Sequence, residues 1–316
     1  MAKIVVIGSL NFDLVVQAPR LPKVSETLFG TDLVTEFGGR GANQAYTAAR
    51  LGGDVAMLGR VGRDEFGKEM RANLVRAGCD VSGVRSIDGE SGVALIMVPE
   101  SGQNSIVVVP GANFRYLPEN LRDDADRVAR AEYVLLQLET PLNTVMAAAQ
   151  LAKSQGAQVI LDPAPVPQSL PAELLRTIDI LTPNEVEATH LAGRRGDSLT
   201  MDEVGEVSTQ LLSAGVKTVI LKLGERGCFL AQRDSRTWIA APRVDPVDTT
   251  AAGDVFNGAL AVACSEGASL IEGCRFAVRA AALSVTRLGA QRSVPSRAEF
   301  NSFSSTSEVP MIGGSL

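Results

Sequence analysis

Apolar residues follow two spacings along this chain, and the order of the spacings predicts the fold. Ile4–Ile7 is an unbroken apolar run that ends at Gly8. A run this short, apolar on consecutive positions, reads as a strand buried on both faces. Leu51–Leu58 gives a second strand behind the Gly52-Gly53 break. Similar runs recur at Tyr133–Gln137, Val159–Asp162, Ile178–Thr182 and Val219–Leu223, with helix-length segments such as Leu142–Gln155 and Asp202–Ala214 between most of them. Repeated strand–helix–strand order predicts an α/β fold, a doubly wound and mainly parallel sheet with helices on both faces.

A second set of positions breaks that alternation. Asp13–Ala18, Thr27–Thr35, Val93–Val98 and Ser105–Val109 are β-rich, and Glu100-Ser101-Gly102-Gln103 between the last two is a hairpin signal. They predict a small second sheet, inserted over about 13–37 and 91–110. A sheet with one uncovered face serves as a lid, a subunit interface, or both. The chain to residue 300 reads as one domain carrying this insertion, and the Ser- and Gly-rich stretch 301–316 as a flexible tail.

Composition narrows the classes. The 316 residues are 45% hydrophobic and 21% charged, ordinary for a globular protein. A net charge of −6 with no basic run argues against nucleic-acid partners, and 4% aromatics leave few stacking platforms for bases. Four scattered cysteines and the single histidine, His190, offer no zinc pattern, so the cysteines read as reduced core residues of a cytoplasmic protein. The apolar run at Ile4 is too short for a signal-peptide core, and no stretch approaches a membrane span.

The densest chemistry lies in Val247–Gly258. Val255, Ala259 and Val262 share one helical face and Phe256, Leu260 and Ala263 the next, so a buried helix begins here. Its start holds only small residues, Ala251-Ala252-Gly253, and then Asp254. Unpaired amides at a helix start attract anions, and small side chains let a phosphate approach them. A carboxylate in the same turn supplies a base, and anion donors beside a base are what phosphoryl transfer needs. Taken alone, an Asp at this place reads first as a residue that caps the helix or complements its dipole, and the small-residue run before it weakens that reading.

Other segments carry a chemical and a plain reading together. Phe37–Gln44, with Gly38, Gly39 and Gly41 ahead of a helix from about Ala42 to Leu51, could ligate hydroxyls through amides and Asn43, or be a tight turn. Asn11 and Asp13 follow the first strand, where ligands of open α/β sheets gather, and Asp13 could accept two sugar hydroxyls or be a solvated acid. Thr182–Glu187 opens a helix at Pro183. Glu187 could hold Mg²⁺ through water, or Asn184 and Glu187 could form a capping box. Lys222-Leu223-Gly224-Glu225-Arg226-Gly227 could border a nucleotide or form a hairpin. Gly62–Lys68 matches the first positions of a P-loop, but Glu69 stands where the Mg²⁺-binding hydroxyl belongs, so it reads as a loop into a helix. His190 reads as a helix-surface residue, and no nucleophile elbow exists for it to serve.

Together these residues resemble the ribokinase family of carbohydrate kinases. The Gly38–Asn43 loop and the Asp248–Asp254 segment resemble its two signature motifs, and Asn184–Glu187 its N-x-x-E motif. Gly8–Asp13, Gln137-Leu138-Glu139 and Val285–Gln291 extend the likeness from residue 3 to about 300. The resemblance implies a ribokinase-like fold and ATP-dependent phosphorylation of a pentose, foremost D-ribose to D-ribose 5-phosphate. It implies Asp254 as general base, the amides of Ala251, Ala252 and Gly253 as anion hole, and Asn11, Asp13, Gly39, Arg40, Asn43 and Glu139 as sugar contacts. It further implies Asn184 and Glu187 around phosphate and Mg²⁺, and Lys222–Gly227 at the nucleotide. A K⁺ ion is implied beside Asp248, Thr250, Ser284, Arg287, Gly289 and Ser293, several acting through backbone carbonyls, and a homodimer through the lid sheet. Arg40 replaces the usual Lys, Lys222 a Thr of some relatives, Ala251 a Gly, and Val278 stands near the adenine edge where a polar residue is common. Deoxyribose, another aldose or ketose, or a nucleoside are the alternative acceptors. A non-catalytic sugar sensor on the same fold is the reading from another class.

Overall fold

The computed structural model describes residues 3–101 and 104–303. The turn positions 102 and 103, and the expected tail from residue 304 onward, lie outside them. The strands in chain order are β1 (Ile4–Ile7), β2 (Asn11–Ala18), β3 (Asp32–Gly38), β4 (Val55–Gly62), β5 (Asp80–Ile87), β6 (Gly92–Pro99) and β7 (Ser105–Val109). There follow β8 (Tyr133–Leu136), β9 (Gln158–Leu161), β10 (Ile180–Leu181), β11 (Thr218–Lys222), β12 (Cys228–Gln232) and β13 (Arg236–Ile239).

Nine of them form one sheet in the order β13-β12-β11-β10-β9-β8-β1-β4-β5. All its pairings are parallel except β11–β12 and β12–β13. Consecutive side chains of a strand point to opposite faces, and both faces here are apolar. Ile4 and Val6 join one core, with Ala42, Ala45 and Ala48 of helix Arg40–Arg50 and Val255, Ala259 and Val262 of helix Ala252–Ser265. Val5 and Ile7 join the other, with Val145 and Ala148 of helix Leu142–Ser154 and Val204, Val207 and Leu211 of helix Met201–Ser213. Each fully buried Val, Ile or Leu stabilises the fold by roughly 1.5–3 kcal/mol. The doubly wound sheet expected from the apolar runs is therefore present. β1 lies between β4 and β8, so its outgoing loop opens into the crevice where such sheets bind ligands.

The second sheet has the order β3-β2-β6-β7 and leaves the main body just after β1 and β5. Its second segment differs from expectation: the strand covers Asp32–Gly38 rather than Thr27–Thr35. β2 pairs with β3 from Asn11↔Gly38 to Gln17↔Asp32, which leaves β2 almost no length on which residues 27–31 could pair. Phe29 is 88% exposed there. Ser91 pins the return into this sheet, its amide and hydroxyl both donating to Asp64 (2.7 and 2.6 Å). Asp64 also caps helix Glu65–Ala77 through the Gly67 amide, so the P-loop look-alike is the loop into a helix that was expected. His190 is exposed on helix Glu185–Leu191.

Two glycines set where the first helix begins. It starts at Arg40, two residues earlier than its sequence suggests. Gly39 has φ 84°, and a Cβ on Gly41 would lie 2.7 Å from both the Gly8 carbonyl carbon and the Ser9 nitrogen. Gly41 is thus a helical residue that lets the helix press on the turn after β1, which chain propensity alone reads as a breaker. A matching approach occurs at Gly258, where a Cβ would stand 2.6 Å from the Gln44 carbonyl oxygen and 2.8 Å from Thr47 Cβ. Gly258→Ala should therefore force the two helices apart and lower stability by about 1–3 kcal/mol in urea unfolding. The control Gly205→Ala, with open space around it, should leave the midpoint unchanged or raise it. Equal midpoints for the two variants would contradict this packing.

Candidate active site

Helix Ala252–Ser265 starts at the crevice. Ala251 before it adopts the left-handed conformation, φ 59° and ψ 10°, which a non-glycine residue takes only where its surroundings impose it. The lead-in loop is held by Asp248, whose carboxylate accepts the amides of Thr250 (2.9 Å) and Gly289 (2.8 Å). The Ala252 amide reaches the Thr249 carbonyl at 3.2 Å. Among the described residues the amides of Ala251 and Gly253 have no protein partner, and both residues line a cavity of about 1360 Å³. These bare donors at a helix start can receive an anion.

Asp254 lies at the floor of the same cavity, 3% exposed. Its carboxylate accepts Asn43 Nδ2 at 3.0 Å and Gln44 Nε2 at 3.1 Å, both from helix Arg40–Arg50. Burial pushes its pKa up to about 6. Nearby Arg40 opposes the shift, Asp162 adds to it, and the two amide donors oppose it. A carboxylate near the middle of the pH range, open to the cavity and beside free amides, can take a proton from a bound hydroxyl. The donors are themselves held: Gln291 Nε2 donates to Asn43 Oδ1 (3.1 Å) and Gln137 Nε2 to Gln44 Oε1 (2.7 Å).

Asp162, just past β9, joins the parts. It is buried, accepts Lys222 Nζ at 2.8 Å and Gln44 Nε2 at 3.2 Å, and forms an ion pair with Arg40 Nη1 at 3.6 Å. Arg40 also approaches Glu139 at 3.7 Å. Burial works against the Arg40 charge, but Asp254, Asp162 and Glu139 outweigh it and hold the guanidinium charged more firmly than usual. Nothing in the sequence alone assigns a role to Asp162, Gln44, Gln137 or Gln291. An acid directly after a buried apolar run was the available signal for Asp162.

The other end of the cavity is lined by Asn11, Asp13, Gly39, Arg40, Asn43 and Glu139, the six expected sugar contacts. Asn113 donates to Asn11 Oδ1 (2.8 Å) and clasps both backbone groups of Leu10 (2.9 and 3.1 Å), fixing the turn after β1. Glu139 accepts Ser9 Oγ and the Arg40 amide (3.0 Å). Asp13 Oδ1 is buried without a partner. Burial pushes the Asp13 pKa up to about 7, with repulsion from Glu139 and Glu36 adding to it. A buried acceptor without a donor is rare, and ligand hydroxyls would satisfy it. Ala94, Ile96, Ile106 and Val108 of β6 and β7 form the apolar wall above.

The remaining predicted residues divide. Asn184 and Lys222, Gly224, Glu225, Arg226 and Gly227 line the cavity. Leu223 is buried beneath, and Lys222–Gly227 is also the hairpin between β11 and β12, so both readings of that segment hold. Glu187 is buried and accepts the Asn184 amide (2.8 Å) and side chain (3.0 Å), so the capping box is real. Burial raises its pKa, Lys222 lowers it and nearby Asp162 raises it again. Thr250 and Asp248 face the 284–293 loop, with the Val247 and Asp248 amides donating to the Val285 carbonyl (2.7 and 3.1 Å). The hydroxyls of Ser284 and Ser293 donate to the Ala281 and Ala290 carbonyls (2.8 Å each), and Arg287 pairs with Glu299 (2.9 Å). Glu36 of β3 accepts the Ala290 amide at 3.2 Å, tying the small sheet to this loop.

Comparison with known proteins agrees with this architecture. The pattern of the pfkB family carbohydrate kinases matches residues 1–297. The chain is 42% identical to a ribokinase of Haemophilus influenzae over 297 residues, 93% of this chain and 95% of that protein. It is 36% identical to a deoxyribokinase of Salmonella typhi over 306 residues, 96% of this chain and 99% of that one. Its fold superposes on Arabidopsis thaliana ribokinase complexed with ribose and ATP with a TM-score of 0.90 and 39% identity, covering 96% of this chain and 100% of that one. By this match over residues 1–297 and its identity to these relatives, the chain belongs to the pfkB family of carbohydrate kinases.

Proposed function

We propose that this chain transfers the γ-phosphoryl group of ATP to the 5-hydroxyl of D-ribose, giving D-ribose 5-phosphate and ADP. The observation that carries the reading is the Asp254 carboxylate on the cavity floor beside the bare amide of Gly253. A sugar hydroxyl over Asp254 gives up its proton to that carboxylate as its oxygen forms the new bond to phosphorus. The bond from phosphorus to the bridging oxygen of ADP breaks on the opposite side. The helix-start amides take up the charge on the phosphoryl oxygens. Asn11, Asp13, Gly39, Arg40, Asn43 and Glu139 would grip the sugar, and Asp13 gains the donors it lacks. The nucleotide would lie along Lys222–Gly227, with Val278 and Ala281 against its base.

Metal roles follow the available donors. Glu187 keeps lone pairs beyond its two capping bonds and would hold the Mg²⁺ of MgATP through water, with Asn184 beside it. That ion screens phosphate charge when bound. The Asp248–Thr250 and Ser284–Ser293 loops offer a hard monovalent cation, K⁺ foremost, their carbonyls and Asp248. The outer face of the small sheet exposes Leu33, Leu95, Val107 and Val109, an apolar surface that a second copy would cover in a homodimer. Among the described residues no helix is long and apolar enough to cross a membrane.

2-Deoxyribose is the second acceptor to consider, favoured by the likeness to a deoxyribokinase. A coupled ADP-release assay should show turnover with ribose above 2-deoxyribose and above nucleosides, rising on addition of K⁺. ADP release that ignores every sugar would refute the kinase reading. Asp254→Asn should cut kcat by about 10²–10⁴-fold, and near-parental turnover would remove Asp254 as base. Both Asp13 and Asp254 work only as carboxylates, and burial has raised both pKa values, to about 7 and about 6. Protonation therefore sets in at higher pH than for exposed acids, and kcat/KM for the sugar should fall as pH drops from 8 through 7 and 6. A profile flat down to pH 5 would contradict it.

A further inference from the structure

We infer that Lys222 is a phosphoryl-binding residue of this site and that Asp162 is the positioning residue that presents it. The inference deepens the phosphoryl-transfer reading and rests on it. Lys222 is the last residue of β11, tied by backbone pairing to the Pro183-Asn184 turn. Its side chain is 11% exposed and reaches inward to the cavity, where Nζ meets Asp162 Oδ1 at 2.8 Å.

An ammonium group has three N–H donors. Among the described residues Asp162 is the sole hydrogen-bond partner of this one, so two donors remain unspent in a half-dry setting. They sit beside the helix start: a Cβ placed on Gly253 would lie 3.1 Å from Lys222 Nζ. The Gly253 amide is bare as well. Two independent sets of unsatisfied positive donors thus converge on one volume, which fits an anion with several oxygens. Asp162 is fully buried and also receives Gln44, which holds the base Asp254. One carboxylate therefore fixes the ammonium relative to the proton acceptor. A neutral residue at 222 would take an ammonium charge away from beside the helix amides.

The plainer alternative is that Lys222 only neutralises Asp162. Removing both partners separates the two, because neither charge of that pair is left buried and Arg40 keeps Glu139 as its partner. The test compares the parent chain, Lys222→Met, Lys222→Arg and the double variant Lys222→Met with Asp162→Asn. Each is measured for urea midpoint, kcat, KM for ribose and ATP, and calorimetric affinity for tripolyphosphate. The double variant should unfold near the parental midpoint, and Lys222→Met, which leaves Asp162 on Arg40 and Gln44, should keep KM for ribose within about two-fold. The double variant's kcat/KM for ATP and its tripolyphosphate affinity should both fall by about 10- to 100-fold. Lys222→Arg should recover part of that loss. A double variant that regains parental kinetics and tripolyphosphate binding would overturn the inference. Lys222-dependent tripolyphosphate binding in a chain with no turnover on any sugar would sustain it while the kinase reading fails.

Discussion

Everything in this site turns on keeping one carboxylate ionisable where water hardly reaches. Burying a charged carboxyl without compensation costs several kcal/mol. The Asp254 group is compensated by two side-chain amides, Asn43 and Gln44, by the guanidinium of Arg40, and by its place at a helix start. Compensation is partial, and that leaves the group near the middle of the pH range. The close approaches at Gly41 and Gly258 serve the same end. They let helix Arg40–Arg50 touch both the turn after β1 and helix Ala252–Ser265, so that its amides arrive within hydrogen-bond distance.

Local features were legible in the sequence, and long-range ones were not. The parallel sheet could be read because each strand is a short apolar run between helix-length segments. The chemistry of Ala251–Asp254 could be read because donors and base lie in four consecutive residues. Asp162 could not, since one acid after a strand looks like any other until the fold brings Lys222, Arg40 and Gln44 around it. The glutamines pair across more than ninety positions, Gln44 with Gln137 and, through Asn43, helix Arg40–Arg50 with Gln291. No periodicity signals such contacts. β5 and β13 are harder to read, because their half-polar sequences resemble loops, and β12 is signalled only through the hairpin reading of Lys222–Gly227.

Ambiguous segments proved to hold two properties at once. Asn184 and Glu187 make a capping box, and Asn184 still faces the cavity. Lys222–Gly227 is a hairpin and a wall of the site. Helix starts and strand ends leave backbone groups unpaired, so the positions that need a cap are also the positions open to a ligand. A plain structural role and a chemical one are for that reason poor alternatives at such places.

The small sheet supplies Asn11 and Asp13 through β2, whereas Asp254, Asn43, Gln44, Asp162 and Lys222 belong to the main sheet and its helices. Any swing of the small sheet about the Gly8–Leu10 and Ser91 junctions would carry the hydroxyl-facing acid and leave the proton acceptor and its donors where they stand. The electrostatic environment of the reaction is then built before substrate arrives, because the acceptor and its donors lie on elements outside the small sheet. Reorganisation energy, the chief penalty for charge movement in water, is in this way largely settled during folding.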